Sequence, residues 1–302
     1  ASTRTTRSTP LPKTEVAVTV APAKVNLRLV VLAREESGYH QLETVFCALD
    51  LADELVIVPA GSGVRLEVHG AELGPPEQNL VYRATTAFFS AIVRKPAVDI
   101  VLRKHIPVGA GLGGGSSDAA ATLRALNERH GKPLDDDALV RLGGTLGSDV
   151  PFLLCGSPLA LAWGRGDRLL PLDPLAARPV LLVVPPHPIA TAEAYRDLAA
   201  ARERAALRPA ALRLPLQALE DWSAVRRIAV NDFEPVVFAR FPDLEAARDT
   251  LLAAGADLAL LAGSGSAVFG IFAEDHMRDR AETRINERHP RLLTISTLTA
   301  GS

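Results

Sequence analysis

Lysine is scarce in this chain. Only Lys13, Lys24, Lys95, Lys104 and Lys132 occur among 302 residues, and arginine supplies the rest of the 33 basic side chains. Alanine and arginine are both abundant, so genomic base composition accounts for the bias, yet a lysine inside an apolar strand stands out against it. Cysteine is scarcer: Cys47 and Cys155 are too few for a disulfide scaffold or a cysteine metal site. No excess of one charge exists either. The 35 acidic side chains leave a net charge of −2, which argues against a strongly basic nucleic-acid binder. A long hydrophobic run is missing too. The longest weakly charged stretch, Leu251 to Ala273, contains Asp257 and several Gly and Ser residues and is a poor membrane span. The Ser/Thr/Arg-rich start has no apolar segment, so no secretory signal is visible. What remains is 48% apolar and 23% charged, which excludes global disorder, and a length suited to one large or two modest domains.

Residues 1–15, with Pro10 and Pro12, read as a flexible tail. The next hundred residues are mostly strand. Glu15–Val20 and Lys24–Leu32 read as two strands bent at Pro22, followed by Leu42–Leu49, Asp53–Val58, Val64–Val68 and Val98–Leu102, with one helix over Asn79–Val93. Helices are expected at Asp118–Arg129, stopped by Gly131 and Pro133, and at Asp135–Leu146. Pro158–Trp163 returns to strand, and Arg165–Pro174 reads as the connection between halves. The second half reads as strands at Pro179–Val184, Leu258–Leu261, Val268–Phe272 and Leu293–Leu298. Its helices are expected at Thr191–Arg208, Asn231–Phe241, Asp243–Ala254 and Met277–Arg288. This alternation argues α+β in both halves.

Four segments can carry chemistry. The first is Pro107-Val108-Gly109-Ala110-Gly111-Leu112-Gly113-Gly114-Gly115-Ser116-Ser117-Asp118, five glycines and two hydroxyls ahead of a helix. Glycines allow positive φ and close approach of a ligand, and a helix start offers free N–H groups to an anion. Gly109, Gly111 and Gly114 also fit a dinucleotide-binding spacing, but no second strand with an acidic ribose ligand follows. A Walker A loop fails because no Lys-Ser/Thr pair follows the glycines. The second segment is Ala21-Pro22-Ala23-Lys24-Val25-Asn26-Leu27. Lys24 and Asn26 share one strand face, with Val25, Leu27 and Leu29 on the other. That polar face suits stabilisation of an oxyanion; by itself it equally suits a solvent-facing side. The third, Gly147-Ser148-Asp149-Val150-Pro151-Phe152, offers Asp149 either as a turn or helix-capping carboxylate or as a general base. The fourth, Gly263-Ser264-Gly265 between two strands, is either a tight turn or a second phosphate-closing loop.

In this order, the four segments resemble the GHMP kinase superfamily. Gly38-Tyr39-His40-x-Leu-x-Thr44-Val, Glu77-Gln-Asn79-Leu and Asn231-Asp-Phe-Glu234 are similar to the branch that acts in non-mevalonate isoprenoid synthesis. The resemblance runs from about residue 16 to 298. Two positions depart from it: Ala262 stands where a serine is usual before the last glycine loop, and Asp118 where asparagine is frequent.

The resemblance implies a two-domain α+β fold with its active site in the interdomain cleft. An N-terminal ATP-binding domain would span 16–168 and a C-terminal domain 169–302. It implies ATP with Mg2+ as cofactors, with phosphates on residues 107–117 and beside Gly263, Ser264 and Gly265, and with Asn79 and Lys104 near the adenine. Lys24 and Asp149 would be the catalytic pair, and Asn26 would lie near the reacting hydroxyl. Tyr39, His40 and Tyr195 would hold a cytosine. The direct Mg2+ ligands stay open. The reaction implied is transfer of the ATP γ-phosphoryl group to the 2-hydroxyl of 4-diphosphocytidyl-2-C-methyl-D-erythritol, a cytidine diphosphate alcohol. The enzyme would be cytoplasmic and have neither nucleic-acid nor membrane partners. A homoserine- or mevalonate-type kinase is the alternative on the same scaffold, disfavoured by the Tyr39-His40 pair. A non-catalytic nucleotide-binding regulator is disfavoured by the presence of both Lys24 and Asp149. Arg202, Arg204, Arg208 and Arg213 are expected on a solvated helix face.

Overall fold

The structure, a computed structural model, describes residues 17–34, 40–205 and 214–301. The expected tail, Tyr39, Arg208 and Arg213 lie outside the described residues. In chain order the first half holds β1 (Val18–Arg34), β2 (His40–Pro59), β3 (Gly63–His69), α1 (Leu80–Ala91), β4 (Ala97–Arg103), α2 (Gly114–Arg129), α3 (Asp136–Gly144), α4 (Val150–Leu154), β5 (Leu159–Gly164) and β6 (Arg168–Pro171). The second half continues with β7 (Pro179–Val184), α5 (Thr191–Ala205), α6 (Trp222–Ile228), β8 (Val230–Asn231), α7 (Glu234–Arg240), α8 (Pro242–Ala253), β9 (Leu258–Leu261), β10 (Val268–Ile271), α9 (Asp275–Arg288) and β11 (Leu293–Leu298).

The first sheet is built around the long β2. Its order is β3-β4-β2-β1-β8, with β5 also on β2 and β6 on β5. Twenty residues let β2 serve several partners: β1 along one edge, β4 beside its end (54–59) and β5 beside its beginning (42–47). Val98, Ile100 and Leu102 alternate with more exposed residues along β4, and their buried face packs with α1 and α2 residues such as Phe88, Leu123 and Leu126. The second sheet, β11-β7-β10-β9, is antiparallel throughout. Its β7, Pro-Val-Leu-Leu-Val-Val, is buried along its whole length between β11 and β10. One apolar seam unites the two sheets, with Val25, Leu27 and Val45 from the first meeting Val180, Leu182 and Phe269 from the second.

Several expectations are corrected. β1 is one strand, not two bent at Pro22; the bend is taken up by register shifts between Pro22 and Lys24 and between Asn26 and Arg28. β2 likewise runs unbroken through the expected gap at residues 50–52. α2 starts at Gly114, inside the glycine run, so Ser116 and Ser117 belong to its first turn. The connection after Trp163 contains β6, paired with β5 as a short hairpin. Asn231 lies in a strand, not at a helix start: β8 pairs in parallel with β1 through Arg28–Val230 and Leu29–Asn231. Thus a piece of the second half completes the first sheet beside the strand that carries Lys24. Arg204 is exposed as expected, whereas Arg202 is largely taken up in bonds to the protein. Arg202 donates to Asp232 at 2.6 Å and to the Val31 carbonyl at 2.7 Å, pinning α5 to β1.

Candidate active site

A cleft of about 520 Å³ opens between the glycine run, β1, and the β9–β10 turn. The glycine run forms its floor and is bonded to both neighbours: Lys24 N–H donates to the Leu112 carbonyl at 2.9 Å, and Ala267 N–H to the Ala110 carbonyl at 3.0 Å. Two of its glycines are required by what they touch. Gly111 has φ +80°, and a Cβ there would lie 2.0 Å from the Ala262 carbonyl oxygen. Gly113 has φ +71°, and a Cβ there would meet the Lys24 stem at 2.8 Å. The loop therefore packs against the second glycine turn at one point and against the lysine at the other.

α2 follows directly. Its N-cap, Gly113, supplies no side-chain cap, and no acidic residue stands in its first turn. Its leading N–H groups and positive dipole end thus face the cleft, a ready anion site. Ser116 lines the cleft, while the Ser117 hydroxyl is buried without a partner among the described residues. Across the cleft, Gly263 and Ser264 form part of the wall. The Ser264 hydroxyl bonds Thr191 at the start of α5 at 3.0 Å, and Asn231 donates to the Leu261 and Gly263 carbonyls at 2.8 and 2.7 Å. Ala262 is fully buried in the apolar seam.

Lys24 and Asn26 do share a face, and that face is not solvated. Lys24 is 4% and Asn26 2% exposed. Lys24 Nζ donates to Asn26 Oδ1 at 3.0 Å and pairs with Asp149 Oδ2 at 3.1 Å. Asn26 in turn donates to the Thr44 hydroxyl at 2.7 Å, and Thr44 donates to the Arg28 carbonyl at 2.7 Å. The shift after Asn26 also changes the parity of β1, bringing Leu29 into the cleft wall with Lys24 and Asn26. Asp149 occupies the N-cap position of α4 but makes no capping bond; its side chain turns to Lys24 instead. α4 is held in place by burial of all five of its residues and by Phe152 stacked on Phe46 at 4.8 Å, and Phe46 lies 5.4 Å from the Lys24 ammonium. The carboxylate of Asp149 remains 27% exposed, open to the cleft.

Lys104 lines the same cleft in a different setting. Its ammonium donates to Asp118 Oδ2 at 2.7 Å and to Asp53 Oδ2. The Asp118 carboxyl is pushed up to about 7, first by burial, with the Asp53 charge adding to the rise and Lys104 opposing it. Its Oδ1 has no partner among the described residues. Nearby, Asn79 caps α1 by accepting the Val81 N–H at 2.9 Å, and it also lines the cleft.

Beyond Asp149 a second cavity of about 720 Å³ continues the first, sharing Leu42, Ser148, Arg165 and Tyr195 with it. His40 and Tyr195 stack there at 4.6 Å, and Tyr195 sets its edge on Phe233 at 4.8 Å. The Tyr195 phenol is pushed up to about 12 by burial and, second, by the Asp149 charge. The glycine run, Lys24, Asn26, Asp149, Asn79, Lys104, Tyr195 and the 263–264 turn thus border one continuous space, with His40 on its far arm. Sequence reasoning missed Asp53, Thr44, Phe233 and the role of Asn231. Thr44, Asn231 and Phe233 lay in motifs in which they had no assigned task; Asp53 carried no signal beyond that of an ordinary strand residue.

Comparison with known proteins places this arrangement. The model of the GHMP kinases N terminal domain matches residues 79–157, and that of the GHMP kinases C terminal matches residues 207–291. A protein of Moorella thermoacetica named 4-diphosphocytidyl-2-C-methyl-D-erythritol kinase is 38% identical over 92% of this chain and 98% of its own. The chain belongs to the GHMP kinase family. It is accordingly a phosphotransferase that uses ATP. A solved 4-(cytidine 5'-diphospho)-2C-methyl-D-erythritol kinase matches with TM-score 0.78 and 36% identity over 95% of this chain and all of that one. A mevalonate kinase of L. major, at TM-score 0.72 and 16% identity over 98% of this chain and 99% of its own, shares the GHMP kinase fold. Among the described residues, no helix is long and apolar enough to cross a membrane.

Proposed function

We propose that this GHMP kinase transfers the γ-phosphoryl group of ATP to the 2-hydroxyl of 4-diphosphocytidyl-2-C-methyl-D-erythritol, in the cytoplasmic synthesis of isoprenoid precursors. The observation that carries the mechanism is the 3.1 Å pair between buried Lys24 and half-buried Asp149 beside the start of α2. Phosphoryl transfer asks a protein mainly for positioning and charge stabilisation. The glycine run, the α2 N-terminus and the Ser116 hydroxyl cradle the triphosphate, closed from the far side by Gly263, Ser264 and Gly265. Mg2+ bound with ATP would offset the charge of the triphosphate, and the Ser116 and Ser117 hydroxyls at the head of α2 would help hold it.

Asp149 takes the proton of the 2-hydroxyl as that oxygen bonds to the γ-phosphorus and the bond to the β–γ bridging oxygen breaks, releasing ADP. Lys24 orients the Asp149 carboxylate and offsets charge on the attacking oxygen, while Asn26 fixes the ammonium. His40 and Tyr195 receive the cytosine, joined by Tyr39. The second cavity, lined by Arg83, Arg165 and Arg196, suits an acceptor with a diphosphate. Asn79 and Lys104 border the adenine. This reading keeps the division into a domain over 16–168 and another over 169–302, with the reaction between them.

A coupled ADP-release assay with ATP and, in turn, this acceptor, homoserine and mevalonate tests the reading. Turnover with the cytidine compound at least about 10³-fold more efficient than with either other alcohol is expected, since a site built around a polar partner rejects compounds lacking it. Comparable or faster turnover of homoserine or mevalonate contradicts it. ATP binding without turnover of any alcohol would instead fit a regulator.

A further inference from the structure

We propose that Asp53, on β2, is a positioning residue for ATP: it fixes Lys104 and the lead-in to the phosphate loop so that both present themselves to the nucleotide. Asp53 is fully buried, yet both of its oxygens are used. Oδ2 accepts from Lys104; Oδ1 accepts the backbone N–H of His105 at 2.5 Å and of Ile106 at 2.8 Å. One carboxylate therefore clamps three consecutive residues just ahead of Pro107. The strand that holds it is central and well supported, with Asp53 opposite Ala21 of β1.

The geometry of the ammonium gives this clamp its consequence. A lysine ammonium has three N–H donors. Asp53 takes one and Asp118 a second, so the two carboxylates fix the direction of the third. Lys104 borders the cleft, 3.3 Å from where a Cβ on Gly114 would stand, at the first residue of α2. The flanking carboxylates also compensate its charge. It serves the site as an oriented donor and a shaped wall, not as a free cation. Without Asp53, Lys104 has one anchor instead of two, and the His105 and Ile106 amides lose their acceptor, the latter inside the protein.

This inference rests on the cleft being the ATP site. The test compares steady-state kinetics of the unaltered enzyme and Asp53→Asn, together with calorimetric titration of each with a non-hydrolysable ATP analogue. The asparagine retains an oxygen for the two amides and loses the charge against Lys104. The expected result is a rise of about 10-fold or more in both the ATP KM and the analogue Kd, the scale of a charge-assisted bond. The acceptor KM and kcat should stay within about 3-fold. A merely structural role would move all four constants together, or none of them in the folded protein, and either result overturns the proposal. In a Lys104→Met background the Asp53→Asn change should add less than about 2-fold to the ATP KM, because residues acting through one another are not additive. A full further 10-fold also overturns it. Should the variants not fold, amide exchange on the unaltered protein decides. His105 and Ile106 should exchange at least about 10²-fold more slowly than free amides in the absence of nucleotide; unprotected exchange overturns the proposal. If the unaltered enzyme does not bind the analogue at all, the assignment of the cleft itself fails, a separate outcome.

Discussion

Lys24 and Lys104 line the same cleft, and both are almost wholly buried. Their partners differ. Lys24 has one carboxylate, Asp149, that remains partly open to the cleft, and one neutral amide, Asn26. Lys104 has two carboxylates: Asp53, fully buried behind the cleft, and Asp118, almost wholly buried at the cleft wall. A carboxylate sealed like Asp53 meets neither substrate nor solvent, so its charge holds geometry. An open one, held by the lysine behind it, can accept a substrate proton. The exposure of the counter-ion, more than that of the lysine, separates the group that does chemistry from the group that shapes the wall.

The largest effects should separate the two lysines. Lys104→Met leaves two buried carboxylates facing each other and should cost about 3–5 kcal/mol of folding stability, read from urea unfolding. Lys24→Met leaves a carboxylate that water can still reach. Its melting temperature should change far less, while its kcat falls about 10²-fold or more through lost charge stabilisation. Equal stability losses would erase the distinction.

Gly113→Val tests how the phosphate loop depends on Lys24. The added Cβ would meet the lysine stem at 2.8 Å in a backbone conformation with φ +71°. ATP affinity should drop by at least about 10-fold, and kcat should fall with it because Lys24 is displaced. An unchanged calorimetric ATP titration in a folded variant would reduce the loop to a turn.

Tyr195→Leu sharpens the contrast between the phosphate and acceptor arms. Loss of an aromatic platform worth about 1–3 kcal/mol should raise the acceptor KM roughly 5- to 150-fold. The ATP KM should hold; a matched rise in both would make Tyr195 a packing residue between α5 and Phe233.

A smaller effect concerns pH. Burial raises the folded Asp118 carboxyl to about 7, against about 4 for an aspartate in the unfolded chain. The folded protein therefore binds this proton more tightly than the unfolded chain. Stability from this group is present in full below about pH 4 and is lost as pH rises through about 7. Asp118→Asn has no such proton, so its melting temperature relative to the unaltered protein should climb across that window. A constant difference from pH 4 to 8 would contradict the shift.

The parts of the fold written as local pattern were legible. The alternation in β3, the apolar run of β7 and the helical spacing of α1 come straight from neighbouring residues. What escaped depends on partners distant in the chain. Pro22 breaks no strand because a register shift absorbs it, and β8 is a strand only because β1 lies beside it. In the site, the glycine run announced itself, but the reason for Gly111 lies in Ala262, more than a hundred residues on. Lys24 and Asn26 pointed to one face, and only the burial supplied by β2 and α4 distinguishes a working face from a wet one. Asp53 sits among Asp50, Glu54 and apolar neighbours with nothing local to set it apart; its three bonds come from residues 104–106.

The most direct test of the account is a double-mutant cycle on kcat for Asp149→Asn and Lys24→Ala, with substrate binding followed by titration. Asp149→Asn retains the shape of the side chain but cannot take a proton, so a loss of at least about 10²-fold in kcat with little change in binding is expected. The pair acts as one unit, so the double variant should be little worse than the worse single one. Near-normal turnover by Asp149→Asn, or losses that multiply in the double variant, would contradict a coupled Lys24–Asp149 pair and leave positioning of the hydroxyl against ATP as the source of the rate.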